Sequence, residues 1–385
     1  MKYKLEDICI RITDGSHYSP KAVEYGYPMF SVKDMLEYGF SYDNCKRVDE
    51  EDFQKLKASG CVPKIGDVLV AKDGSYLKEI FVCREEKEEA VLSSIAIFRP
   101  NVERVTSDFL CYLLKSPKVY NYIKNNCVSG SALPRIVLKE FKTVGIDVPD
   151  IIIQERITGI LRELDEKIIL NNSINDNLQE QAQAIYHHMI IENADAAWTP
   201  GVLSDIAIIT MGQSPKGESY NEEGVGTVFF QGRAEFGFRF PTRRLYTTDP
   251  KRMAQANDAL MSVRAPVGDM NVAYEDCCIG RGLGAIRSKD GHQSFVLYTM
   301  FALREQLNVF NGEGTVFGSI NRDALNSMPV DIPPKEIMDQ FEDIVSPMDA
   351  AIRNNYDEIC RLQALRDSLL PRLMSGELDV SDIEL

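Results

Sequence analysis

Hydrophobic positions along the 385-residue chain change their period, and the whole cycle runs twice. Over about residues 1–150 they come in short runs, such as Val68-Leu69-Val70-Ala71 behind Gly66-Asp67 and the run from Ser93 to Phe98. Short apolar runs entered by turn residues predict strands. Phe109, Tyr112, Leu113, Val119 and Ile123 add a helical spacing. From Gln154 the apolar positions step by three and four through Ile157, Leu161, Leu164, Ile168, Ile174, Leu178, Ala182, Ile185 and Met189. This predicts a long helix with a heptad-like seam, interrupted by Asn171, Asn172 and Asn175. Strand-like runs return at Val228-Phe229-Phe230, Ala259-Leu260-Met261 and Leu283 to Ile286. A second seam follows through Ile337, Phe341, Ile344, Met348, Ile352, Asn355, Ile359, Leu362, Leu365, Leu369 and Leu373. Pro347 lies inside it and predicts a kink or a later start. The class is α+β: strand-rich modules, each followed by a long helix.

Motifs recur in the same order. Leu5-Glu6-Asp7-Ile8 returns as Leu203-Ser204-Asp205-Ile206, and Gly66-Asp67 as Asn257-Asp258. Gly130-Ser131 with Ile136 returns as Gly314-Thr315 with Ile320, and Val148-Pro149 as Ile332-Pro333. The helix from Gln154 returns as the helix from Gln340, so the offset drifts from 198 to 186. A repeat this long is a duplicated module rather than a solenoid, whose units run about 20–50 residues. Neither helix has a fully polar face, so each is expected to bury its stripe against the other. An antiparallel pair would act as a coiled-coil-like spacer under an approximate two-fold axis, with Asn171 and Asn355 fixing its register. Two similar binding units suit a ligand with two sites along a line, as a DNA duplex has.

The net charge of −15 argues against that ligand until its distribution is read. Residues 1–150 are near neutral, with 22 Lys+Arg against 23 Asp+Glu, and residues 201–335 carry 14 against 15. Residues 151–200 hold 3 against 8 and residues 336–385 hold 4 against 12, so the acid lies on the helices and tail. Each module can therefore present a basic face. Phosphate contacts dominate non-specific affinity for DNA, so this acidic chain is expected to rely on a partner for much of its grip. Nine cysteines without a Cys-x-x-Cys pair fit neither a zinc knuckle nor a disulfide framework. With no signal-peptide pattern and no apolar run near the ~20 residues of a membrane span, the expected location is cytoplasmic.

Reaction chemistry is not assembled by local spacing. There is no Gly-Lys-Ser/Thr phosphate loop. Asp331-Ile332-Pro333-Pro334 has the wrong order for an adenine methyltransferase, and Gly312-Glu313-Gly314 is a weak cofactor signal. Four histidines and scattered cysteines yield no triad or metal cage, so the expectation is no catalytic residue, no metal and no cofactor. The polar loops suit recognition instead. Candidates for DNA contact are His17, Tyr18, Lys72, Ser75, Tyr76 and Lys78 in the first module. In the second they are Gln213, Ser214, Lys216, Gln231, Arg233, Arg239, Arg243, Arg244 and Arg264. The stretch 229–252 mixes arginines with phenylalanines; arginine suits phosphate and guanine edges, and Gln231 suits adenine.

Taken together, the duplicated openings Leu5 to Pro20 and Leu203 to Pro215, Lys72-Asp73-Gly74-Ser75, Arg264 to Gly268 and Ile279-Gly280-Arg281-Gly282-Leu283 carry a family pattern. With the two helix entrances and the ending Leu370 to Leu378, they resemble the specificity subunit of Type I restriction-modification systems across essentially the whole chain. The resemblance implies target-recognition domains at 1–150 and 196–335 and conserved spacer helices at 151–195 and 336–385, the last with a C-terminal tail. It implies a subunit without catalysis of its own. Each domain would read half of a bipartite double-stranded target, and the helices would set the gap and dock two methyltransferase subunits. Restriction subunits can join such a complex. The other readings of the residues are a free-standing duplicated DNA-binding regulator and a cryptic enzyme using Asp14, His17 and Asp73. Tight specific binding by the isolated chain would favour the regulator, and a measurable turnover the enzyme.

Overall fold

The structure is a computed structural model, which describes residues 2–74, 77–129, 135–196, 198–312 and 318–382. It divides into two units, Met1–Asn171 with Asp357–Leu385, and Asn172–Tyr356. Both long helices contribute to both units.

In the first unit, strands β1 (Cys9–Asp14), β3 (Val68–Ala71), β4 (Ile80–Val82) and β6 (Ile95–Pro100) form an antiparallel sheet in the order β1-β6-β3-β4. Beside it, β2 (Tyr27–Phe30) pairs in parallel with β5 (Ala90–Val91), matching Phe30 to Val91. Helix α1 (Ser107–Lys115) buries Phe109, Leu110 and Leu113 against the sheet residues Val68, Ile80 and Phe98. The second unit repeats this register. Strands β7 (Ala207–Met211), β9 (Ala259–Ser262), β10 (Met270–Val272) and β12 (Leu283–Ser288) take the order β7-β12-β9-β10. There β8 (Thr227–Phe230) pairs in parallel with β11 (Cys277–Ile279), matching Phe230 to Ile279. Helix α3 (Gln293–Ala302) takes the place of α1.

The duplication reaches individual bonds. Asp67 accepts from Arg99 Nε and Nη2 at 2.8 and 2.7 Å, and Asp258 from Arg287 Nε and Nη2 at 2.7 and 2.8 Å. The residue before each aspartate has left-handed backbone, Gly66 at φ 85° and Asn257 at φ 73°. Glycine and asparagine tolerate that region best, which is why Gly-Asp and Asn-Asp occupy one structural position.

Helix α2 (Ile151–Tyr186) and helix α4 (Lys335–Ser375) are continuous, α4 running through Pro347 without interruption. Val345 and Ile352, both fully buried, hold the helix on either side of Pro347. Packing of an apolar face outweighs local propensity. Pro149 and Pro333 precede the two starts by the same interval, so Gln154 corresponds to Met338 rather than to Gln340. Gln154 is fully buried and clasps the module: its Oε1 accepts from Thr106 N–H at 2.9 Å and its Nε2 donates to Arg104 and Pro149 carbonyls. Met338 supplies an apolar anchor instead.

The helices pair antiparallel within each unit. In the first, Asn171 donates to Glu358 at 2.8 Å; in the second, Asn355 donates to Asn175 at 2.9 Å. The seam is more polar than its hydrophobic period predicts. Ile174, Ile344 and Leu365 face outward, at 37%, 48% and 46% exposure. The inward positions go to Asp165, Asn171, Asn175 and Arg366. Each unit ties its helix down through one carboxylate, buried at Asp165 and half-buried at Asp349. Asp165 on α2 accepts from Tyr112 at 2.6 Å, Tyr38 at 2.8 Å and Arg366 at 2.9 Å. Asp349 on α4 accepts from Tyr298 at 3.0 Å and pairs with Arg239 at 3.3 Å. Burial, then the neighbouring carboxylate, pushes the Tyr112 hydroxyl well above its ordinary range. Burial likewise raises Asp349, which Arg239 and Tyr298 pull back only in part.

Candidate nucleic-acid interface

In both units the polar loops converge because the strands that feed them end at the same edge. In the second unit β7 runs into Gly212-Gln213-Ser214, β8 into Gln231-Gly232-Arg233, β9 into Val263-Arg264, and β11 joins β12 through Gly280-Arg281-Gly282. Backbone bonds lock these four loops together. Gln213 N–H donates to Ile279 O at 2.9 Å, Gly280 N–H to Phe230 O at 2.8 Å, and Val263 N–H to Gly282 O at 2.9 Å. A Cβ at Gly212 would collide with the Gly280 carbonyl, and one at Gly282 would lie 2.8 Å from the Gln231 carbonyl oxygen. Glycine is required here for close approach of backbones.

The first unit builds the same rim with other side chains. Ser16 N–H donates to Val91 O at 2.8 Å, Leu92 N–H to Phe30 O at 2.8 Å, and Lys72 N–H to Ser94 O at 2.9 Å. The loop after β3 meets residue 135 as the loop after β9 meets residue 319. Gly15 sits against Val91 and Leu92 as Gly212 sits against Ile279 and Gly280.

The proposed contact residues are placed as follows. His17 and Tyr18 are exposed on the first rim at its opening loop, and Lys78, between β3 and β4, is 71% exposed at its side chain. Gln213, Lys216, Gln231, Arg233, Arg243, Arg244 and Arg264 are exposed in the second unit, and Ser214 is half-buried. Ser75 and Tyr76, like the Gly130-Ser131 and Gly314-Thr315 segments, lie outside the described residues. Two candidates turn inward, which corrects their assignment. Lys72 is 4% exposed with Nζ 2.9 Å from Asp14, and Arg239 is 4% exposed in the Asp349 knot. A buried cation held by its own carboxylate would strand that charge if it left, so it is not offered to a ligand.

Several exposed cations are also internally paired. Arg243 lies 2.6 Å from Glu275 and 5.1 Å from the Tyr274 ring centre, Arg244 lies 2.7 Å from Glu235, and Arg233 pairs with Asp269. The basic-aromatic stretch is therefore partly the module's own scaffold, with Phe229, Phe230 and Phe240 in its cores. Residues that loop composition missed are Lys33 and Arg281. Both are exposed, on the turns after β2 and after β11, and strand register is the signal that locates them. Among the described residues no group of three or more His, Cys, Asp or Glu side chains is placed to hold a metal, and no helix is long and apolar enough to cross a membrane.

Comparison with known proteins gives one family. The chain matches the Type I restriction modification DNA specificity domain twice, over residues 1–180 and 196–362. It is 28% identical to a Methanocaldococcus jannaschii protein assigned as the MjaX type I restriction enzyme specificity subunit, covering 98% of this chain and 93% of that one. It is 23% identical to the HindI specificity subunit of Haemophilus influenzae, covering 98% and 99%. Among solved structures, the type I restriction-modification S subunit from M. genitalium shares the fold at a TM-score of 0.60 and 15% identity, covering 97% and 95%.

Proposed function

The chain belongs to the Type I restriction-modification DNA specificity family, and from that premise we propose that each of its modules reads one half of a bipartite DNA target. The observation that carries this reading is the rim built twice: one strand-end scaffold with different exposed side chains in each copy. A shared scaffold with divergent side chains suits two half-sites of different sequence. The first rim offers His17, Tyr18, Lys33 and Lys78; the second offers Gln213, Gln231, Arg264 and Arg281. Glutamine and arginine forks match adenine and guanine edges in the major groove.

On this reading the chain is the non-catalytic recognition subunit of a restriction-modification complex. The paired helices set the non-specific gap, and their acidic flanks and exposed apolar residues, Ile169, Leu170 and Ile344 among them, dock two methyltransferase subunits. Those subunits would supply most of the phosphate contacts, which position the duplex without reading it, and would extract the adenine for methylation. Near-neutral modules on an acidic chain fit this division of labour.

The test is modified-base sequencing of host DNA after co-expression with the cognate methyltransferase. The expected result is adenine methylation at two short half-sites separated by a fixed unread gap, and none when this chain is omitted. Methylation that persists without the chain, or a single continuous motif, would overturn the proposal.

A further inference from the structure

Cations around the second rim differ in whether they are already spoken for. Arg233, Arg243 and Arg244 are paired to Asp269, Glu275 and Glu235. Arg252, Arg264 and Arg281 are exposed and have no side-chain partner among the described residues. Of these three, Arg264 and Arg281 sit on turns held by backbone bonds on both sides, Arg264 through Val263 to Gly282 and Ala265 to Gly318, and only the Arg281 turn is seated on Gln231. The Arg281 peptide N–H donates to Ser214 Oγ at 3.2 Å. The preceding Gly280 donates to Phe230 O at 2.8 Å, and the following Gly282 donates to Gln231 O at 3.2 Å. A Cβ on Gly280 would lie 2.9 Å from Gln231 Cα, and one on Gly282 2.8 Å from Gln231 O. The two glycines thus seat the turn directly on the Gln231 backbone. The backbones of exposed Gln231 and Gln213 are bonded to the same turn, Gln231 through Gly282 and Gln213 through Ile279.

An arginine that is unpaired on a fixed backbone loses little on engaging a ligand. It need not break an internal ion pair, and only its side-chain torsions remain to be ordered. Its planar fork matches O6 and N7 of guanine with two parallel hydrogen bonds. We propose that Arg281 is the guanine-reading side chain of the second module, with Gln231 and Gln213 placed for the neighbouring bases. This rests on the half-site reading above. The first module carries Ser93 at the same turn, so its half-site is read there without a guanidinium.

The experiment uses the chain in complex with its methyltransferase, with base-modification mapping and competition binding on duplexes substituted at each half-site position. Arg281→Ala should remove discrimination at one G·C position of one half, on the order of ten- to a hundredfold. The other half and the gap should stay unchanged. Arg281→Lys keeps the charge but loses the fork, and should relax the same position. If the parent complex yields a split motif and Arg281→Ala leaves every position intact, the Arg281 assignment falls while the half-site reading stands. If the parent yields no split motif, the half-site reading itself fails. Weakening that is uniform across sequences, with the salt slope reduced by about one, makes Arg281 a phosphate contact and overturns the assignment. A thermal melt matching the parent separates these outcomes from misfolding.

Discussion

Arg366→Ala should destabilise the first unit by about 3–5 kcal/mol, because it strands a buried carboxylate. Arg366 is 13% exposed at its side chain, and its Nη1 lies 2.9 Å from Asp165, 2.7 Å from Glu37 and 2.7 Å from the Tyr38 hydroxyl. Asp165 is 9% exposed at its side chain and would keep only the two phenols. Burial opposes the arginine's charge, yet its hydrogen bond to Asp165 and the nearby Tyr38 outweigh it and raise its pKa. Removing one partner of such a pair costs more than the pair contributes, since the remaining charge has lost its solvent and its counter-ion. For a unit of this size the loss corresponds to roughly 10 °C in melting temperature. Scanning calorimetry of the variant decides the matter, and a melt within a degree or two of the parent would refute the buried-pair account. Adding Asp165→Leu should recover part of the loss, because it removes the stranded charge.

The second large effect is expected at Gly212. A methyl group there has nowhere to go, since the Gly280 and Ile279 carbonyls occupy the space. Gly212→Ala must push the β7 loop away from the Gly280–Gly282 turn, at about 1–3 kcal/mol of overpacking strain. The functional loss should exceed the structural one. Productive geometry at a recognition site is held to about half an ångström, and this turn carries Arg281 and borders Gln231. We expect the methylation map to lose discrimination across the second half-site while the first half remains sharp. An unaltered map would show that the close approach of these loops plays no part in reading.

The class, the duplication and the long helices were legible in the sequence because each rests on periodicity. Short apolar runs mark five of the twelve strands β1–β12, namely β3, β6, β8, β9 and β12, and steps of three and four mark the long helices. What periodicity cannot register is a polar residue that belongs inside. It selects Leu164, Ile174, Ile344 and Leu365 for the seam, where the structure places Asp165, Asn175, Val345 and Arg366. Those polar positions are inward because their partners Tyr112, Tyr38 and Asn355 come from distant segments, and long-range pairing leaves no local trace. The binding rim shows the same limit. Charge and loop composition singled out 229–252, but Arg239 is consumed by Asp349 and Arg244 by Glu235. Nothing local marks Arg281 as a contact, because only the parallel pairing of β8 with β11 brings its turn onto Gln231. Matching letters pair Gln154 with Gln340, whereas the shared distance from Pro149 and Pro333 pairs it with Met338, two residues earlier.

The most direct measurement exchanges one reader and maps the methylated motif. Residues 196–335 would be replaced by the corresponding segment of a family member with a different known target, joined beyond the end of α2 and at the start of α4. Twin independent readers predict that one half of the motif changes to the donor's while the other half and the gap persist. A map in which both halves change together, or neither does, would contradict the account.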